Sequence, residues 1–277
     1  MTPSAESLSQ LLFKSLSESA LLLDDLPESE VFPCHTLTPP RQPVSLNLQQ
    51  KLGHLYEDAL AVMLESSPRY DTLTKNLQIR QETGRTLGEL DFLVKDLPTN
   101  QVIHLELAIK FYLAIETDDG VQLPGPDARD NFSRKLERMR SHQLTLTKNH
   151  HTLLPEHLQG ETITVQHLVH GCIFNHVHAK NPVELEFLNP NGRRGKWLHT
   201  EECQSYFGNN TLLEIIPKPL WPAPLDIIKD EKLEPWLPNK SLDRCVMVRI
   251  AQKSTPPNTS GNTPYFIAPD NYPMIHS

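Results

Sequence analysis

The sequence predicts an α/β fold in which a helix, three strands, a helix and a strand follow one another within residues 45–180. Apolar residues recur at helical spacing in "LNLQQKLGHLYEDALAVMLE". They then alternate with polar residues in "LTKNLQIRQ", "LGELDFLVKD" and "QVIHLELAIKFYLAI", as they do in strands. The β-branched stretch "ETITVQHLVHGCIF" predicts the last strand of this core.

An N-terminal extension is predicted over residues 1–44. Leucines at helical spacing indicate a helix over residues 5–23. The prolines of "PESEVFPCHTLTPPRQPVS" cannot continue a helix, so this stretch is predicted to be a connector.

The core then begins with a helix from Leu46 to Glu65. The turns "ETGRT" and "LPTN" separate the three predicted strands. A further helix is expected from Asp127 to Thr147, with Asp127 or Asp130 as its cap.

Residues 181–277 differ in composition from the core, because they contain all three tryptophans and many prolines. "RCVMVRIAQ" and "TPYFIAPDNYP" predict two late strands joined by the polar loop "KSTPPNTSGN". We therefore expect a β-rich C-terminal appendage that packs on the core.

The composition of the 277 residues, 38% hydrophobic and 22% charged, is typical of a folded protein. No apolar run is long enough to span a bilayer, and the N-terminus lacks signal-peptide features, so we expect a cytoplasmic protein without a membrane partner. Four widely spaced cysteines make a disulfide framework or a cysteine zinc site unexpected. The net charge of -8 opposes bulk attraction to nucleic acid but allows a local basic groove.

Acidic residues on two of the predicted strands suggest a metal site. Alternate residues of a strand share a face, so Glu89 and Asp91 lie together, as do Glu106 and Lys110. If the strands pair, Asp91 and Glu106 are neighbours, and two such carboxylates repel unless a proton or a cation lies between them. Mg²⁺ or Mn²⁺, with oxygen ligands, would satisfy this pair. The alternative is a solvated sheet face, on which opposite charges add about 0.2–1 kcal/mol per pair.

The order of elements, with an aspartate on the second strand and a glutamate and a lysine on the third, resembles the core of the PD-(D/E)XK nuclease superfamily. The chain is also similar, almost end to end, to an uncharacterised bacterial family of that superfamily. The similar stretches are "GELDFL", "LELAIKFYL", "GPDARDNF" with "RKLERMRSHQL", "KPLWPAP" and "YFIAPDNYP". The resemblance implies a restriction-endonuclease-like core and metal-dependent phosphodiester hydrolysis on nucleic acid.

The resemblance also implies roles for individual residues. Asp91 and Glu106 would bind the metal, Glu57 on the first core helix would be an accessory ligand, and Lys110 would be the catalytic lysine. Glu89 is a further accessory residue. The superfamily lysine lies two residues after the acid, where this chain has Ala108, so Lys110 is displaced by about 7 Å along the strand. This departure leaves open a catalytically inactive nuclease-fold protein that binds nucleic acid or another protein.

Two further groups of residues carry weaker signals. The resemblance implies that the helix after the third strand borders the active site, where Lys135, His142 and Gln143 would contact phosphate, and of these only Lys135 is kept as a candidate. A solvated helix face is the alternative for the other charges. The cluster His167, His170, Cys172, His176 and His178 contains zinc-ligand residue types, but a core strand with a solvated end explains it better.

Overall fold

The computed structural model describes residues 5–237, 242–251 and 262–273. The helices are α1 (Ala5–Glu18), α2 (Leu52–Glu65), α3 (Phe132–Ser141), α4 (Leu146–Asn149) and α5 (Cys203–Phe207). The strands are β1 (Glu30–Val31), β2 (Tyr70–Arg80), β3 (Thr86–Asp96), β4 (Gln101–Thr117), β5 (Gly120–Gln122), β6 (Ile163–His176), β7 (Arg194–His199), β8 (Leu213–Ile215), β9 (Glu234–Trp236), β10 (Val246–Ile250) and β11 (Tyr265–Ala268). The mixed α/β class predicted from the sequence is confirmed.

One mixed sheet joins nine of these strands in the order β2-β3-β4-β6-β7-β11-β10-β8-β9, while β1 pairs with β6 and β5 pairs with β4. The neighbours β2, β3 and β4 are antiparallel, whereas β6 runs parallel to β4. The chain crosses from β4 to β6 through α3 and α4, as a parallel connection requires. The late strands continue the sheet through β7, which pairs with both β6 and β11.

Strand β4 is buried on both faces. Leu105 and Phe111 pack into the same apolar cluster as α1 and α2, and Tyr112 on the other face packs with Met139 of α3. His104 and Glu106, two polar residues in the middle of β4, are therefore enclosed, and Glu106 is only 2% exposed. The alternative of a solvated face is wrong for this residue.

Three predicted helices have boundaries that differ from those in the structure. Helix α1 ends at Glu18 because the following leucines leave it, and the Leu22 amide donates to the carbonyl of Val169 in β6. Helix α2 begins at Leu52 rather than Leu46, whose amide donates to Ser9 Oγ of α1 instead.

Helix α3 is also shorter than predicted. Its cap is Asn131, whose side chain accepts from the Arg134 amide, so neither Asp127 nor Asp130 has this role. Short helical turns and α4 replace its predicted C-terminal half. The predicted loop at 253–262 lies outside the described residues except for its last position. Across the described ranges, no helix is both long and apolar enough to cross a membrane.

Candidate active site

Asp91 and Glu106 meet where β3 and β4 separate. The backbone pairing of the two strands runs from Asp96 opposite Gln101 to Phe92 opposite Leu105. Immediately beyond it, carboxylates replace the backbone acceptors: the Leu107 amide donates to Asp91 Oδ2 at 2.9 Å, and the Asp91 amide donates to Glu106 Oε1 at 3.3 Å. Each carboxylate is thus bound by the strand that carries the other.

The Glu106 carboxylate is held by two further side chains. His104 Nε2 lies 2.8 Å from Oε1, and Gln143 Nε2 donates to Oε2 at 3.0 Å. Since a carboxylate only accepts, His104 donates through Nε2, and its Nδ1 then accepts from the Thr147 hydroxyl at 3.2 Å. The sequence did not indicate the role of His104, and Gln143, considered as a phosphate contact and not kept, binds Glu106 instead. The only sequence signal for His104 is its position two residues before Glu106 on one strand face.

The surroundings of Asp91 oppose its ionisation. Burial raises the pKa of Asp91 to about 8, and the charge of Glu106 adds to this increase. The hydrogen bond from the Leu107 amide acts in the opposite direction, and the charges of Glu57 and Glu89 raise the pKa further. A proton or a cation at this position relieves the repulsion.

Glu57 and Glu89 flank Asp91 and are connected through Asn76. The Asn76 side-chain nitrogen lies 3.3 Å from Glu57 Oε2 and 3.3 Å from Glu89 Oε1. Asn76 has a φ of 55° within β2, a conformation that asparagine tolerates better than most residues. Glu57 and Glu89 therefore act on Asp91 through their charges.

The two candidate lysines lie beside the acidic pair rather than on it. Burial lowers the pKa of Lys110, while the charges of Asp130 and Asp91 raise it. Among the residues that the structure describes, Lys110 forms no ion pair with a carboxylate within 4.0 Å. Lys135 is 40% exposed and lies 3.8 Å from Asp130, so it is an outer residue of this region.

The donor atoms at this position suit a hard divalent cation. Asp91 and Glu106 offer only oxygen, and Mg²⁺ commonly uses one or two carboxylates together with water. Asp91 Oδ1 accepts no hydrogen bond from the described part of the chain. Within the described ranges, no three His, Cys, Asp or Glu side chains form a ligand group, so the fit rests on these two carboxylates.

The histidine-rich strand is divided between the core and an exposed end. His167, His170 and Cys172 are buried in β6. His176 and His178 lie at its end, where they are 3.1 Å and 3.6 Å from the carboxylate oxygens of Glu202.

The raised pKa of Asp91 predicts that stability depends on pH when no divalent ion is present. The folded protein keeps the Asp91 proton up to about pH 8, whereas the unfolded chain loses it near pH 4. The protonated Asp91 side chain therefore makes its full contribution to the free energy of unfolding below pH 4, and this contribution is lost as the pH rises to about 8. We expect Asp91→Asn to be more stable than wild type at pH 8 by about 5 kcal/mol, because the folded and unfolded pKa values of Asp91 differ by about four units at about 1.4 kcal/mol each, and the difference to shrink to about 1 kcal/mol at pH 5. Urea unfolding in EDTA at several pH values measures the difference in stability between the variant and wild type. A difference that does not change with pH would contradict the raised pKa of Asp91.

Comparison with known proteins identifies one family. A family model described as a domain of unknown function, DUF1853, matches residues 5–256. No curated protein matches the chain. No solved structure matches it either.

Proposed function

The chain belongs to the DUF1853 family, a domain of unknown function, and from its site we propose that it hydrolyses phosphodiester bonds of nucleic acid with a divalent cation. The observation that carries this proposal is the pair of hydrogen bonds between β3 and β4 at Asp91 and Glu106. Each of these two carboxylates accepts a hydrogen bond from a backbone amide of the other strand. Such a buried acidic pair has a strong electrostatic reason to bind Mg²⁺ or Mn²⁺.

The strand arrangement around this pair also supports the proposal. A helix, three antiparallel strands, a helix and a strand parallel to the third follow one another here, as in the nuclease superfamily that the sequence resembles. Asp91 and Glu106 lie on the second and third of these strands. Glu57 lies on the preceding helix and contributes its charge at Asp91.

The chemistry follows from the surroundings of each residue. Asp91 and Glu106 would hold the cation, which would polarise a phosphoryl oxygen and activate water. His104 and Gln143 fix the orientation of Glu106, so this carboxylate is preorganised. Burial lowers the pKa of Lys110, and in this mechanism its Nζ would position or deprotonate the attacking water or stabilise the charge of the transition state.

A cleavage assay tests the proposal directly. Purified protein is incubated with end-labelled single- and double-stranded DNA and RNA in Mg²⁺, in Mn²⁺ and in EDTA. We expect cleavage of at least one substrate with metal and none with EDTA. Cleavage that persists in EDTA, or no cleavage of any substrate with either metal, would count against the proposal.

A second candidate function is non-catalytic binding of nucleic acid or of another protein. Two specific observations favour it: Ala108 occupies the position of the superfamily lysine, and Lys110 forms no ion pair with Asp91 or Glu106 in the described structure. In this case the acidic pair persists as a structural feature while hydrolysis is lost.

Replacing Lys110 by methionine tests the role of this residue in the proposed hydrolysis. If Lys110 acts on the water or on the transition-state charge, we expect turnover to fall about 100-fold with little change in metal affinity. Lys180→Met, which changes an exposed lysine beyond β6, is the matched control and should retain activity. Equal turnover in Lys110→Met and Lys180→Met would mean that Lys110 takes no part in the reaction.

A further inference from the structure

A cleft opens along the edge of β4 beyond the acidic pair. The pairing with β3 ends at Leu105, and the next backbone contact on this side is the Leu113 amide donating to the Pro124 carbonyl at 2.9 Å. Between these points lies a cavity of about 270 Å³. Its walls come from four parts of the chain besides the start of α2 and include Lys110, Phe111, Asp130, Lys218, Trp221 and Arg244. Lys110 lines the cleft, and the charge of Asp91 raises the pKa of Lys110, so the cleft adjoins the proposed active site.

The cleft has a local excess of positive charge. Within the described structure, Lys110, Lys218 and Arg244 form no ion pair with a carboxylate within 4.0 Å. The two aspartates of the wall already have partners, since Asp127 lies 3.1 Å from Arg129 and Asp130 lies 3.8 Å from Lys135. The cleft therefore favours an anion although the whole chain carries a net charge of -8.

Trp221 gives the cleft a fixed aromatic surface. Its Nε1 donates to the Ile216 carbonyl at 3.1 Å, and its ring packs edgewise against Phe111 and Phe266 with centroids 5.6 Å and 4.9 Å away. These contacts hold the ring, which remains only partly buried and lines the cavity. Lys218 Nζ lies 5.7 Å from the ring centroid, so an aromatic surface and a cation adjoin each other.

We infer that this cleft binds one nucleotide of a single-stranded nucleic acid, with its base against Trp221 and its phosphates at Lys218 and Arg244. Aromatic rings that stack bases beside cations that contact phosphates are the usual elements of single-strand recognition. The volume of about 270 Å³ lies just below the usual range of ligand pockets, about 300–1,000 Å³, so the cleft can hold at most one nucleotide and is too small for a duplex. The inference rests on the proposed function in one respect, since it takes the bound single strand to be the substrate that is hydrolysed at Lys110, Asp91 and Glu106.

Binding is measured in EDTA, so that it does not depend on cleavage. The probes are fluorescein-labelled oligothymidylate and oligouridylate of about ten nucleotides, followed by anisotropy. We expect Trp221→Leu to weaken binding about tenfold and Trp221→Phe to retain most of it. In Lys218→Gln and Arg244→Gln, the slope of log affinity against log salt should flatten by about 0.7 for each contact removed. Lys180→Gln is the matched control for lost charge.

The possible outcomes separate the inference from the proposed function. Binding that depends on Trp221, Lys218 and Arg244 without any metal-dependent cleavage would support the cleft and reject the hydrolase. Cleavage with binding that is unchanged in all three variants would reject the cleft and leave the hydrolase intact. If Trp221→Leu fails to fold by circular dichroism, the salt slopes decide, because Lys218 and Arg244 are exposed. Tighter binding of duplex than of single strand would also overturn the inference.

Discussion

Replacing Asp91 by asparagine is expected to lower metal-dependent cleavage by about a thousandfold or more. Asparagine keeps the size of the side chain and an oxygen that can accept from the Leu107 amide, which lies 2.9 Å from Asp91 Oδ2. It removes the negative charge that would attract the cation, and one lost electrostatic contact at a reacting centre commonly costs about 100- to 1000-fold in rate. Loss of the metal ion itself would cost more, because the ion would supply activation of the attacking water.

The control for this prediction is Asp71→Asn, which removes an exposed carboxylate from β2, the neighbouring strand. It should cleave at the wild-type rate, and Glu106→Gln should be as inactive as Asp91→Asn. The measurement is the initial rate on the best substrate at saturating Mg²⁺. Wild-type activity in Asp91→Asn and in Glu106→Gln would mean that cleavage comes from another site or from a contaminant.

Replacing Gly171 by alanine is expected to destabilise the protein by about 4 kcal/mol or more. Gly171 pairs with Lys110 across the parallel strands β4 and β6. An added Cβ would lie 1.7 Å from the Lys110 carbonyl oxygen and 2.7 Å from its carbonyl carbon, distances that backbone atoms can relieve only by moving. The φ of 154° at Gly171 adds to the cost, because side chains disfavour that conformation.

Urea unfolding of Gly171→Ala measures this cost, with Gly160→Ala as its control. No atom lies within 4 Å of a Cβ at Gly160, so that variant should remain within about 0.5 kcal/mol of wild type. Because the clash falls on the backbone of Lys110, which lines the cleft, any folded Gly171→Ala protein should also have an altered cleft beside the proposed active site. Equal stability of the two variants would mean that β4 and β6 do not approach closely at this pair.

The meeting of Asp91 and Glu106 was predictable because it depends on short-range rules. Successive side chains of a strand point to opposite faces of the sheet, and a short turn such as "LPTN" sets the register of the strands that it joins. Nothing in those rules required Glu106 to be buried, since the same pattern is compatible with a solvated face. Burial follows from α3, which covers that side of β4.

The environment of Glu106 was not predictable, because it depends on contacts between distant segments. Thr147 and Gln143 reach His104 and Glu106 only after the helices following β4 pack on the sheet. The cleft is a similar case, as Trp221 and Arg244 come from segments more than 100 residues after Lys110. The predicted start of α3 failed for a local reason, since three residues of suitable type, Asp127, Asp130 and Asn131, compete for one cap.

Calorimetric titration with MgCl₂ and MnCl₂ tests, without reference to any substrate, the claim that Asp91 and Glu106 together hold a divalent cation. We expect the wild-type protein at pH 8 to bind at least one of the two ions at one site per chain. In Asp91→Asn and Glu106→Gln the affinity should fall at least about tenfold. The same binding in wild type and both variants, or no binding of either ion up to about 10 mM, would contradict the claim.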